Sequence, residues 1–409
     1  MPGASEEGLV LDVGPVAHGG HCVARHEGRV VFVRHALPGE RVRVAVTEGG
    51  ERSSFWRADA VEVLTASADR VVAPCPWAGP GRCGGCDLQH VSLPAQREWK
   101  AAVVREQLSR LAGLDLPVTV EEVPGAPDGL GWRTRVQLSV DAEGRAGFRR
   151  HRSRAVVPVD RCRIAHPLVD AAGATRRTWP GVESVEVSAA VATGETLVLT
   201  DGRVGAGPAF VTEVVGDRRF RVTGGGFWQV HPGAAAVLLD AVLEGLDPQP
   251  GESALDLYAG VGLFAAFLAA RVGPSGRVTA VESDRVAVQD ARHNLADLPT
   301  VRVEQGRVDH VLRRTHLRRA DLVVLDPPRA GAGKAVVSLL SRVGARRLCY
   351  VACDPAALAR DVRWFGERGY RLASLRGFDL FPMTAHVECV AVLVRDSDQP
   401  PIRAAPPRH

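Results

Sequence analysis

From about residue 223 onward the chain alternates short apolar runs with longer helical ones, and this alternation constrains the fold more than any other feature. The strand candidates are SALDLYAG, GRVTAVES, TVRVEQG, ADLVVLDPPR, RLCYVACD, YRLASLRGFDL and HVECVAVLVR, most of them separated by stretches with helical spacing. Such a pattern predicts a doubly wound, mostly parallel sheet. In open sheets of this kind ligands bind outside the carboxyl ends of the strands. The loops that follow these runs are therefore where chemistry is expected.

The first part of the chain has a different texture. Across residues 8 to 64, apolar and polar positions alternate in short runs broken by glycine and Pro-Gly, as in GHCVARHEGRVVFVRHALPGERVRVAVTE. That is the pattern of a small antiparallel barrel, a type that binds single-stranded nucleic acid or serves in docking. Residues 66 to 92 are cysteine-rich and irregular. The run PAQREWKAAVVREQLSRLAGL predicts a helix over 94–113, with Trp99, Val103, Leu108 and Leu111 on one face and Gly113 as its stop. Residues 123 to 222 mix short strands and turns. The expected division is a barrel over 1–65, a β-rich central domain over 66–222, an α/β domain over 223–396 and a disordered tail over 397–409. A chain of 409 residues agrees with several domains, because single cores rarely grow past about 250–300 residues.

Net charge is only +4, and arginine carries nearly all the positive charge; Lys100 and Lys334 are the only lysines. One block stands out: Arg133, Arg135, Arg145, Arg149, Arg150, Arg152, Arg154, Arg161 and Arg163, against Asp141, Glu143 and Asp160. It suits a phosphate backbone, or else a solvated hairpin surface. No apolar stretch reaches the roughly 18 residues of a membrane span. The acidic N-terminus lacks the apolar core of a signal peptide, so a cytoplasmic protein is expected, with thiols free or metal-bound rather than paired.

In ALDLYAGVGLFAAFLA an apolar strand runs into Asp256, then Tyr258, Gly260 and Gly262, then an apolar helix. Glycines there let backbone approach a ligand. Glu282 ends the next strand, where a carboxylate can accept both hydroxyls of a ribose. A dinucleotide site would carry a third glycine, and Ala265 stands in its place. Together these features resemble the class I S-adenosylmethionine methyltransferases. Asp326-Pro327-Pro328-Arg329 closes the fourth strand, and two prolines make that loop extended and rigid. Acid-Pro-Pro loops of this kind occur in methyltransferases acting on planar nitrogen or carbon centres.

Cys353 ends the fifth strand, and Asp354-Pro355 opens the helix after it. As a residue type in that place it reads as packing, metal ligand or nucleophile. A thiolate adding to carbon 6 of uracil makes carbon 5 electron-rich enough to accept a methyl group. A base must then remove the carbon 5 proton. Glu388 begins the last strand among apolar neighbours that would raise its pKa.

With YVACDPAALARD matching the nucleophile motif and FPMTAHVECVAVL the base motif, the chain resembles the RNA uracil-5-methyltransferase family. The resemblance implies Cys353 as nucleophile, Glu388 as general base, and S-adenosylmethionine held by Gln229 of GGGFWQVHPG, Tyr258, Glu282 and Asp326. It implies further that Gln229 and Asp326 contact the target uracil. Two positions depart from the family pattern: His231 stands for the usual Asn, and Asp354 for the Asn of Cys-Asn-Pro. The barrel resembles the TRAM domain. Cys75, Cys83 and Cys86, spaced C-x7-C-x2-C, and the distant Cys162 can hold zinc or an iron–sulfur cluster, and the resemblance implies [4Fe-4S]. Cys22, Cys349 and Cys389 read as core packing. The implied enzyme is a monomer acting on rRNA or tRNA, with helix 94–113 packed on its catalytic domain. Its rivals are an amino-group methyltransferase without a nucleophile and an RNA-binding iron–sulfur protein without activity.

Overall fold

The computed structural model describes residues 8–314 and 319–395. The expected tail over 397–409 lies outside them. Strands β1 (Leu9–Ala17), β2 (His21–His26), β3 (Arg29–Arg34), β4 (Arg41–Glu48) and β5 (Phe55–Thr65) close into a barrel in the order β1-β2-β3-β5-β4. Only β3 and β5 pair in parallel. The long β5 bends to reach both neighbours because its ladder with β4 slips register at three places, and such slips add twist. The two-residue alternation puts Leu11, Val13, Cys22, Ala24, Val31, Val33, Val42 and Val44 inside. Between β3 and β4, buried Glu40 accepts the amides of Leu37 (2.8 Å) and Ser67 (3.1 Å) and pairs with Arg70, which fastens the irregular segment after the barrel down.

Helix α1 (Leu93–Gln107) continues into a π-helical turn over Leu108–Ala112 and stops at Gly113 (φ 67°). Trp99, Val103 and Leu108 are buried as the spacing predicts, but Leu111 is 37% exposed. A π turn takes more residues per revolution than an α turn, so Leu111 falls out of phase with the buried face. The helix serves two cores: Trp99 and Val103 pack with the barrel, Ala101, Val104 and Leu108 with the large sheet described below. Strand β6 (Val120–Glu122) follows.

The β-rich centre is one antiparallel sheet built from β7 (Arg135–Val140), β8 (Ala146–Arg149), β9 (Val156–Pro158), β10 (Ser184–Ala190), β11 (Glu195–Thr200) and β12 (Arg203–Ala206). Its order is β12-β11-β10-β7-β8-β9, with the short helix α2 (Pro167–Ala171) between β9 and β10. The hairpin β13 (Phe210–Val215) and β14 (Arg218–Thr223) leads out of it.

The remainder alternates as expected: α3 (Ala234–Leu246), β15 (Ser253–Leu257), α4 (Leu263–Val272), β16 (Arg277–Glu282), α5 (Arg285–Asn294), β17 (Val301–Gln305), α6 (Val308–Arg314), β18 (Leu322–Leu325), α7 (Gly333–Val343), β19 (Arg347–Ala352), α8 (Pro355–Gly366), β20 (Tyr370–Asp379) and β21 (Glu388–Arg395). Eight strands form the sheet in the order β17-β16-β15-β18-β19-β21-β20-β6, and β21 alone runs against its neighbours. This is the class I methyltransferase architecture. Alternate residues of each strand feed two apolar layers. Val324, Cys349 and Val351 join Leu238, Val242 and Leu268 on one face; Val323, Leu348 and Tyr350 join Leu340, Leu358 and Phe365 on the other. Each such side chain contributes about 1.5–3 kcal/mol when fully buried.

Two segments before residue 223 belong to this unit. β6 extends the sheet in parallel beside β20, and Arg221 and Thr223 of β14 bind the buried Asp290 of α5 at 2.7–2.9 Å. Among the described residues no helix is long and apolar enough to cross a membrane.

Candidate active site

Strand order reverses at β15, so a crevice opens at its carboxyl end. Asp256, buried there, accepts the Ala265 amide of α4 at 2.8 Å, and burial raises its pKa to about 7. Tyr258 (φ 62°), Gly260 (φ 54°) and Gly262 (φ 94°) then turn the chain through left-handed conformations. A Cβ at Gly260 would meet no atom within 4 Å, so open space lies directly over this loop. From the end of β16, Glu282 reaches across to accept the Gly260 amide (3.0 Å) and also takes the amides of Ser283 and Asp284. Burial lifts the Tyr258 hydroxyl to about 12.

The thiol and its carboxylates occupy three adjacent strand ends. In the antiparallel ladder of β19 and β21, Ala352 pairs with Cys389. Cys353 follows Ala352 just past the end of β19, Glu388 precedes Cys389 at the head of β21, and the Glu388 charge acts on the thiol. Asp326 follows Leu325 of β18, whose partner on β19 is Tyr350. Asp354 caps α8, its carboxylate accepting the Ala357 amide at 2.8 Å, and Pro355 fills the first turn. Burial above all, then the charges of Glu388 and Asp326, push the Cys353 thiol up to about 11, while Arg329 works the other way. Glu388 is 4% exposed. Burial and the Asp326 charge hold its pKa well above the carboxylate range, and burial raises Asp326 to about 7. Two buried carboxylates this close titrate as a pair.

Tyr258, Gly260, Glu282, Asp326, Cys353 and Glu388 thus lie at one edge of the sheet. Gln229 enters from the loop between β14 and α3, half-buried. That loop is tied to the central sheet by Thr134, whose amide and hydroxyl donate to the Val230 carbonyl at 2.8 and 3.0 Å. Among the described residues no hydrogen bond joins Gln229 to the other site residues. His231 stacks on Trp132 at 6.0 Å and accepts the Gly233 amide at 3.1 Å. Burial lowers its pKa to about 4, so it shapes this loop as a neutral ring.

Residues 209–396 match the family model for tRNA (uracil-5-)-methyltransferases, and residues 3–57 match the TRAM domain. An uncharacterized RNA methyltransferase of Streptomyces coelicolor is 54% identical over 94% of this chain and 92% of its own length. The 23S rRNA (uracil(1939)-C(5))-methyltransferase RlmD of Chromohalobacter salexigens is 35% identical over 96% of this chain and 90% of its own. The chain belongs to the RNA uracil-5-methyltransferase family. It also superposes on the solved tRNA (uracil-54, C5)-methyltransferase of Pyrococcus abyssi in complex with S-adenosyl-L-homocysteine, with a TM-score of 0.69 and 25% identity over 94% of this chain and 99% of that one. As an RNA uracil-5-methyltransferase of this fold it draws its methyl group from S-adenosylmethionine. The open space over Gly260 lies beside Glu282, which holds the Gly260 amide.

The four cysteines expected to hold a metal come from two places in the chain, the irregular segment before α1 and the loop between β9 and α2. Cys75, Cys83, Cys86 and Cys162 lie close enough for their charges to act on one another. Among the described residues no three His, Cys, Asp or Glu side chains are placed closely enough to hold a metal ion as they stand. Burial raises the thiols of Cys83, to about 11, and of Cys86 and Cys162. Cys83 accepts the Gly85 amide and Cys86 the Gln89 amide group, each at 3.4 Å, and Cys86 and Cys162 pack against one small apolar cluster around Trp132 and Ile164.

Sequence reasoning passed over the residues that hold the segment before Glu388: Asp87, Gln96 and Lys100. Lys100 carried a usable signal, being one of two lysines in an arginine-rich chain and lying beside Trp99 on a buried helix face.

Proposed function

We propose that this protein methylates carbon 5 of a uridine in structured RNA through a transient bond between Cys353 and carbon 6 of the base. The observation that supports this reading is that Cys353, Glu388 and Asp326 lie at three neighbouring strand ends, where both carboxylates act on the thiol. The thiol gives up its proton through the carboxylate pair to solvent, which leaves Glu388 ionised, and its sulfur adds to carbon 6. The ring electrons move to carbon 5 and oxygen 4, and carbon 5 attacks the methyl group of S-adenosylmethionine, releasing S-adenosylhomocysteine. Ionised Glu388 then removes the carbon 5 proton, the carbon 5–carbon 6 double bond re-forms, and Cys353 leaves as thiolate. A carboxylate whose pKa is raised by burial is a stronger base once ionised, which suits this last step.

Binding falls to the barrel and the central sheet. Phe32 and Phe55 meet edge to face at 5.6 Å with the Arg57 guanidinium over both, and Arg29 lies over Trp56 at 4.4 Å. Such surfaces stack unpaired bases. Arg149, Arg150, Arg152 and Arg154 are exposed and suit phosphates, whereas Arg135 is buried and holds the Gly226 carbonyl. A flipped base is the form that reaches the crevice. The similarity to the 23S rRNA enzyme favours rRNA as substrate. We take the protein to act as a cytoplasmic monomer. The four cysteines supply the donor set for a structural [4Fe-4S] cluster, which requires them to converge from their present places; iron and sulfide content after anaerobic reconstitution tests this, and zinc or no metal rejects it.

The mechanism is tested with RNA containing 5-fluorouridine, where carbon 5 carries no removable proton. Wild-type protein forms an adduct that survives denaturing electrophoresis, and Cys353→Ala forms none. On ordinary RNA, Glu388→Gln accumulates the methylated adduct. Turnover by Cys353→Ala, or methylation with no adduct at all, overturns the mechanism and leaves direct transfer to an amino group.

A further inference from the structure

The segment Leu380–Val387 delivers Glu388 to the head of β21, and much of its anchorage comes from outside the α/β unit. At its start, Lys100 of α1 pairs with Asp379 and donates to the Phe381 carbonyl at 3.0 Å. At its middle, Met383 adopts a left-handed conformation (φ 68°), which for a side chain of this kind costs on the order of 1 kcal/mol. Bonds on both sides fix it there. Its amide donates to Gln96 of α1 at 2.7 Å, and its carbonyl accepts the amides of Asp87 (3.1 Å) and Leu88 (3.0 Å).

Asp87 also engages this segment through its side chain. One carboxylate oxygen accepts the Ala385 amide at 3.3 Å, and the other accepts Arg34 of barrel strand β3 at 3.1 Å. The pair is well shielded, with the Arg34 and Asp87 side chains 9% and 16% exposed. Gly20, in the turn between β1 and β2, seals the junction. A Cβ there would stand 2.9 Å from the Asp87 Cβ and 3.1 Å from the Ala385 Cβ. Barrel, cysteine-rich segment and base-bearing segment therefore meet at one carboxylate.

We propose that Asp87 is a positioning residue for Glu388: by bridging Arg34 to the Ala385 amide, it lets the RNA-binding barrel set where the base stands against the substrate ring. The inference rests on the reading of Glu388 as the group that removes the carbon 5 proton. Cys353 and the cofactor loop are placed by β15, β16, β19 and α8, which Asp87 does not touch. Loosening the Asp87 bridge should therefore slow the last step while leaving attack and methyl transfer intact. A displaced base costs on the order of ten- to a hundredfold in its own step when it moves by about an ångström.

The test follows methylation of uridine RNA in a single turnover by Asp87→Ala, Asp87→Asn, Glu388→Gln and wild-type protein, separating free product from covalent adduct on a denaturing gel. Asp87→Ala should accumulate methylated adduct and release product at least about tenfold more slowly, with RNA affinity changed far less. Asp87→Asn keeps an oxygen for the Ala385 amide and should lie between it and wild type. If Glu388→Gln traps adduct while Asp87→Ala releases product normally, or loses activity with no adduct, the role given to Asp87 is wrong. Should Asp87→Ala fail to fold, the Asp87→Asn result decides by the same criterion. If Glu388→Gln traps nothing, the reading of Glu388 falls and the inference with it.

Discussion

His18, in the turn between β1 and β2, lies 3.4 Å from Asp354, the residue that follows Cys353 and caps α8. The barrel thus touches the corner that carries Cys353. This contact uses one of the two departures from the family pattern, since Asn at position 354 would offer no charge.

The tie should depend on pH. The bond to Asp354 raises the His18 pKa against the opposing effect of burial, and the same bond helps lower Asp354, whose burial works to raise it. A histidine raised on folding stabilises fully below its unfolded value of about 6.5 and stops doing so as pH rises through its folded value. With side chains 42% and 25% exposed, the pair is worth no more than about 1 kcal/mol. His18→Gln should be less stable than wild type in urea at about pH 5.5 and indistinguishable from it at about pH 9. Equal loss at both values would discard the tie.

The carboxylate pair should act in the same direction. Asp326, at about 7, and Glu388 hold protons that the unfolded chain releases near pH 4. Their contribution therefore favours the folded state at low pH and fades as pH rises from about 4 through about 7. Relative to the double variant Asp326→Asn/Glu388→Gln, wild-type Tm should fall across that interval. A difference that grows more favourable to wild type with rising pH contradicts the assignment.

Gly260→Val tests the proposed cofactor loop by placing a side chain into the open space over it. The protein should remain folded, with a strain cost of about 1–2 kcal/mol from the left-handed backbone. Calorimetry should find binding of S-adenosylhomocysteine at least about tenfold weaker, a loss of about 1.4 kcal/mol. Undiminished binding would move the cofactor elsewhere.

Lys100→Met leaves Asp379 buried without its partner. Breaking a buried pair from one side costs about 3–5 kcal/mol, and replacing both members by apolar residues recovers much of it. Urea unfolding of Lys100→Met and of Lys100→Met/Asp379→Leu measures the two terms, and a single-variant loss below about 1 kcal/mol would show the pair to be incidental.

The fold was largely legible because its signals are local. Strand and helix periodicity, Gly113 as a stop and Asp354-Pro355 as a start each act within a few residues. What escaped was set by distant partners. Three residues at Val120–Glu122 become a strand only because β20 offers an edge, and Leu111 left its expected face because a π turn shifted the phase. Charge was legible as composition, not as placement: Arg133 and Arg135 belong to the basic block in sequence but bond inside the protein. Cys353 and Glu388 were individually visible, yet their meeting depends on the pairing of β19 with β21, two strands joined through β20 and its flanking loops. Asp87 had no signal at all, since its meaning lies in a contact with Ala385, 298 positions away.

Helix α1 gives Trp99 and Val103 to one core and Ala101, Val104 and Leu108 to another. Modules that share a rod in this way are not interchangeable cassettes. Grafting a foreign RNA-binding unit in place of the barrel would strip one side of that rod, and excising the methyl-transferring half alone would bare the other. The heritable unit of exchange is the barrel together with its rod, and recombination between relatives should respect that seam.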